Sequence, residues 1–142
     1  PTRRSSDLVA DLSRDLEAAI ARLRTDEGAP LELVTAVFDA FAEGGAGKLA
    51  AWIVLKGDLS HLEPVRDAVN GLVHVIQEKL GDPSDASRDR LSSAVLFIAL
   101  SAFGEALIGT PLRNMLDQDE DASRRVVAGL LPYFVARSER AN

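Results

Sequence analysis

Leu91 to Gly109 reads LSSAVLFIALSAFGEALIG, and this stretch decides the fold. From Ala94 onward it is apolar on nearly every side, interrupted by Ser101 and Glu105. Just upstream, Asp82-Pro83-Ser84-Asp85 offers a helix cap, a proline suited to a first helical position and an acid at the third. Downstream, Thr110-Pro111 is a stop signal. The spacing predicts one helix of roughly 25 residues, too apolar all round for a single core-facing stripe. The run Ala94 to Gly109 would cover about 24 Å at 1.5 Å per residue, short of a bilayer core.

The flanking sequence is helical as well. Leu8, Leu12, Leu16, Ala19, Ile20 and Leu23 recur at three-to-four spacing after Ser5-Ser6, predicting a first helix. Pro30 opens a second, with a stripe of Leu31, Val34, Val37, Phe38 and Phe41 that ends at Gly44-Gly45. Gly47 to Lys56 holds seven consecutive apolar residues, Leu49 to Leu55. Ala50-Ala51 and the helical neighbours favour helix there, and apolarity on all sides predicts a central position. Ser60-His61-Leu62-Glu63 has the capping-box pattern for a fourth helix along Val65, Val69, Leu72, Val73, Ile76 and Leu80, closed by Gly81. After a short turn at Leu112 to Leu116, the acidic stretch Asp117 to Asp121 favours a last helix from Ala122 to about Arg137, kinked at Pro132. The expectation is one all-α domain of six helices over residues 1–142.

Composition narrows the function classes. Of 142 residues, 46% are hydrophobic and 27% charged, an ordinary folded-domain balance. The net charge is −6 and no segment is strongly basic, which argues against a nucleic-acid footprint on this chain. Cysteine is absent, which excludes disulfides and thiol chemistry and suits a reducing cytoplasm. Neither a signal peptide nor a membrane span is expected, and the predicted location is cytoplasmic.

Catalytic machinery is not visible. His74 and Glu78 lie four apart, half of a metal site with no second histidine or cysteine to complete it, and a solvated histidine is the simpler reading. His61 lies at a helix start. Gly44-Gly45-Ala46-Gly47 lacks the Lys-Ser/Thr ending of a phosphate loop and reads as a linker. No enzyme activity, metal or cofactor is expected. Glu105, among apolar neighbours, must be paired, hydrogen-bonded or protonated, and Arg113, Arg124 and Arg125 are the candidate partners. The aromatics sit at core spacing, and Trp52 needs a partner for its indole N–H.

Three stretches resemble the C-terminal ligand-binding and dimerisation domain of TetR-type transcriptional regulators: LAAWIVLKG from Leu49 to Gly57, LSSAVLFIALSAFGEALIG from Leu91 to Gly109, and VVAGLLPYF from Val126 to Phe134. The resemblance implies six helices, a homodimer built on a four-helix bundle and a small, mostly apolar effector in an interhelical cavity. It also implies operator DNA as a partner only through an N-terminal helix-turn-helix, which is expected upstream of Pro1. The candidate cavity residues are Phe38, Trp52, Leu55, Phe97, Ser101 and Glu105. Those expected at the dimer interface are Ala94, Ala102, Ala106, Val127, Leu130, Leu131 and Phe134. The other side of the same helix presents Leu96, Phe103 and Leu107, and the sequence leaves open which side meets the partner. The competing expectation is a dimeric helical binding or scaffold protein with no DNA-binding function.

Overall fold

The structure is a computed structural model that describes residues 29–57, 59–81 and 84–139, together with Ala10, Asp11, Arg14, Asp15 and Ala18, which are helical. The first predicted stripe (Leu8, Leu12, Leu16, Ala19, Ile20, Leu23) lies outside the described residues, as do Asp82 and Pro83. The described side chains also exclude His61, Val65, Leu72 and Leu80. Among the described residues the chain is all-helical, with no strand. Its helices are α1 (Ala29–Ala42), α2 (Ala46–Lys56), α3 (Glu63–Leu80), α4 (Asp85–Met115) and α5 (Ala122–Glu139). Short 3-10 turns at Glu43–Gly45 and Leu59–Leu62 lead into α2 and α3.

The core lies where α1, α4 and α5 meet. Val34, Val37, Phe38 and Phe41 of α1 pack with Ala94, Ile98 and Ala102 of α4 and with Val127 and Leu131 of α5. The α1 stripe is therefore the buried one that its spacing predicts, except Leu31, which is exposed. Burying Phe38 alone stabilises by about 1.5–3 kcal/mol. Phe103 tilts against Phe41 with ring centroids 5.0 Å apart, and Phe97 stacks on Phe134 at 5.3 Å. A second cluster joins Val73 of α3 to Leu91 and Val95 of α4. The buried Gln77 donates from Nε2 to the Ser84 carbonyl at 3.1 Å, tying the end of α3 to the start of α4.

The cap of α4 is Ser84, whose Oγ accepts from the Ser87 N–H at 3.1 Å, so the helix begins two residues later than the Asp82 cap would have it. α3 starts from Leu62 with no side-chain cap bond from that residue, and Leu59–Leu62 winds into a 3-10 turn ahead of it. α2 is helical but not central. Ala50 and Ile53 face inward, whereas Trp52 is half-exposed and Leu55 is 86% exposed. α2 approaches through its smallest residues, and a Cβ on Gly47 would sit 2.8 Å from the Phe41 carbonyl oxygen and 2.9 Å from the Ala106 Cβ. An 11-residue helix docked by that narrow face leaves its other sides in solvent.

Pro111 does not end α4. A π turn at Glu105–Gly109 precedes it, and the proline falls at the first turn of the α-helical Thr110–Met115 stretch. There its missing N–H costs little, and the irregular turn accommodates the ring. The helix then closes at Asp117, φ 55°, with the Gln118 N–H donating to the Arg113 carbonyl and the Asp117 N–H to the Asn114 carbonyl. Pro132 likewise lies inside α5, which continues to Glu139 with the proline on its exposed side. At 31 residues α4 is long and apolar enough to cross a membrane by length and composition. Its inner face is nevertheless committed to the core against α1, α3 and α5.

Candidate functional site: the outer face of α4 and α5

The small residues of α4 face inward. Ala94 and Ala102 are buried in the protomer's own core and Ala106 packs against it, as do Val127 and Leu131 of α5. Ala102 retains 1% exposure, so these positions are taken up inside the protomer rather than offered to a partner. Phe134 is partly buried against the same core, and Leu130 is exposed. The physical reason is size: small side chains let the long helix lie close to α1 and α5, which pushes the bulky series outward.

The outward face is therefore large and apolar. Leu96 and Leu100 are 59% and 63% exposed, and Leu107, Ile108 and Leu112 continue the surface toward the helix end. Phe103, expected beside Leu96 and Leu107, instead packs inward on Phe41. On α5, Val126, Leu130 and Tyr133 are exposed at i, i+4 and i+7, one face of the helix. Two contacts fix how the helices lie side by side. Phe97 is level with Phe134, and Glu105 is level with Ser123. That antiparallel arrangement runs the exposed Leu96 and Leu100 of α4 along roughly the same stretch as the exposed Leu130 and Tyr133 of α5, so both helices contribute exposed apolar area. A patch of this kind on a lone protomer is an aggregation hazard or an interface.

Glu105 anchors the register. Its Oε1 accepts from Arg113 Nη1, and its Oε2 accepts from Ser123 Oγ at 2.7 Å. Of the three candidate arginines, Arg113 is its partner. Arg124 instead pairs with Asp39 at 2.8 Å and lies over the Phe38 ring at 5.7 Å. Arg125 Nη2 reaches Asp119 Oδ2 at 2.8 Å. That hydrogen bond, with a second from the Asp121 N–H, holds the Asp119 carboxyl below its ordinary range and secures the turn that starts α5.

The six candidate cavity residues divide between the core cluster, its edge along α4 and the outer side of α2. Phe38 is sealed in the core, and Phe97 lies at its edge against Phe134. Ser101 accepts the Glu105 N–H on its carbonyl. Glu105 is occupied by Arg113 and Ser123. Trp52 and Leu55 look outward, and the Lys56 ammonium sits 4.2 Å from the Trp52 ring centre. His74 lies on the solvated side of α3, 3.1 Å from Glu78. Among the described residues no group of three or more potential metal ligands gathers.

Leu100, Gly104, Ile108 and Leu112 were not singled out by the sequence reading, yet they recur every four residues with Leu96. That interval was the signal available for them.

No protein-family model, curated protein or solved structure matches the chain.

Proposed function

We propose that this chain is the dimerisation and effector-sensing half of a TetR-like transcriptional regulator, a repressor in its intact form. Two copies associate through α4 and α5, each contributing both helices to a four-helix bundle. A small, mostly apolar effector biases the arrangement of the two protomers, and DNA-reading heads borne by the intact protein change their spacing. What supports the dimer is the paired apolar surface on α4 and α5. The eight large apolar side chains named on that surface, at about 100 Å² each, expose on the order of 800 Å² per protomer, about the ~800 Å² per partner of a standard interface.

Sedimentation equilibrium at tens of micromolar tests this reading. A dimer is the expected result, Leu130→Asp or Tyr133→Asp should dissociate it, and Arg66→Ala on the exposed side of α3 should not. A well-behaved wild-type monomer overturns it.

A dimeric scaffold without an effector is the second reading. The scatter of the six candidate cavity residues, with Glu105 already satisfied and Trp52 and Leu55 facing outward, favours it. Native mass spectrometry of the purified protein separates the two. A stoichiometric small molecule retained on the dimer supports the sensor, and an empty dimer that binds none of a panel of apolar and amphipathic compounds supports the scaffold.

A further inference from the structure

The outer face of α4 is arranged symmetrically about one glycine. Every fourth residue from Leu96 gives Leu96, Leu100, Gly104, Ile108 and Leu112, two large apolar residues on each side of a residue with no side chain. The four large ones are all exposed, and a Cβ added at Gly104 would meet nothing within 4 Å. Nothing inside the protomer therefore requires glycine there, and it sits at a cost of about 1 kcal/mol in helix propensity relative to alanine.

In an ordinary α-helix a row at i+4 drifts about 40° per step, and four steps would carry it about 160° around. The π turn Glu105–Gly109 falls between the two halves of the row and takes more residues for the same rotation, which brings Ile108 and Leu112 back toward the side of Leu96 and Leu100. All four consequently remain on the surface together.

We propose that Gly104 is the crossing point of α4 with α4 of a second copy of this chain, on the two-fold axis of the dimer. This rests on the dimer proposed above and specifies its geometry. An antiparallel pair of helices related by a two-fold at Gly104 sets Leu100 against Ile108 of the second copy and Leu96 against its Leu112. The pattern is self-complementary, as an isologous contact requires, and that singles out a second copy as the occupant. The paired glycines let the two backbones approach closely at the crossing. The same arrangement accounts for the last turns of α4. Beyond the level of Ser123, Ile108 and Leu112 have no α5 of their own chain alongside, and the crossing places them against Leu130 and Tyr133 of the second copy.

The chain has no cysteine, so a single introduced thiol reports on one position. Gly104→Cys should form a disulfide-linked dimer under mild oxidation, because a residue on the axis meets its own equivalent, whereas Gly129→Cys on the exposed side of α5 should not. Gly104→Leu should weaken dimerisation at least tenfold in sedimentation equilibrium while leaving the protomer's helicity and thermal midpoint unchanged or higher. Both results together establish the crossing. A wild-type dimer in which Gly104→Cys fails to cross-link and Gly104→Leu still associates overturns the crossing and leaves the dimer standing. A wild-type monomer overturns both, and one that also floats with phosphatidylcholine vesicles assigns the face to lipid.

Discussion

Replacing Glu105 by alanine should cost more than an ordinary surface ion pair, and the structure sets how much. The side chains of Glu105 and Arg113 are 19% and 14% exposed, well inside the surface but not sealed from water. Exposed pairs contribute about 0.2–1 kcal/mol, and stranding one partner of a fully buried pair costs about 3–5 kcal/mol. Alanine here removes the bond to Arg113 and the one to Ser123, and it leaves the poorly solvated guanidinium with the Thr110 hydroxyl but no counter-charge. A loss of about 2–3 kcal/mol follows, which at about 2–4 °C per kcal/mol lowers the thermal midpoint by roughly 5–10 °C. Urea unfolding of Glu105→Ala, Arg113→Ala and the double variant, at one fixed protein concentration, measures it. Because the double variant no longer strands a charge, it should be little worse than Glu105→Ala alone, with a coupling of about 1–2 kcal/mol. Additive single effects, or a Glu105→Ala protein within about 0.5 kcal/mol of wild type, would refute the reasoning.

The other expectations follow from burial and close approach. Phe38→Ala, in the centre of the core, should lose about 3–5 kcal/mol by urea titration, whereas Leu55→Gln should stay within about 0.5 kcal/mol. Gly47→Ala should destabilise by about 1–3 kcal/mol, opposite to its helix propensity, because the new Cβ meets the Phe41 carbonyl oxygen; a stabilised variant would contradict that contact. Asp119 is held below the ordinary carboxyl value of 3.8, so its stabilising contribution is present above that pH and is lost as pH falls through the lowered value. A side-chain NMR titration should show that low midpoint, and Arg125→Ala should raise it.

The all-helical architecture and the α1 stripe were legible because each rests on local signals: capping residues, periodicity and glycine stops. Glu105 was legible as a residue that needed a partner, since an ionised group among Phe103, Ala106 and Ile108 cannot stand alone. Which arginine would reach it depended on a helix running past Pro111, and the sequence put the stop there. The position of α2 was misread for a different reason. Seven apolar residues in a row describe what a helix is made of but not which side docks, and the close approach at Gly47 decided that.

The outer face of α4 shows the same limit at the level of function. Two faces were visible in the sequence, one small (Ala94, Ala102, Ala106) and one large (Leu96, Leu107), and close packing of small residues could serve either the protomer or its partner. The core settled it. Phe38 and Phe41 on α1 and Val127 and Leu131 on α5 fill the space against the small side, so the large side is left without a cover from its own chain. Gly104 then becomes informative only in context. Inside a protomer a glycine with open space around it is a modest defect of the helix, but between Leu100 and Ile108 on an uncovered apolar row it marks the place where another backbone can come closest. The π turn has the same double character. It lets α4 continue past Pro111, and by doing so it keeps the second half of the row on the side of the first. A proline read as the end of a helix is thereby part of what gives that helix two different sides, one packed in the core and one exposed and apolar.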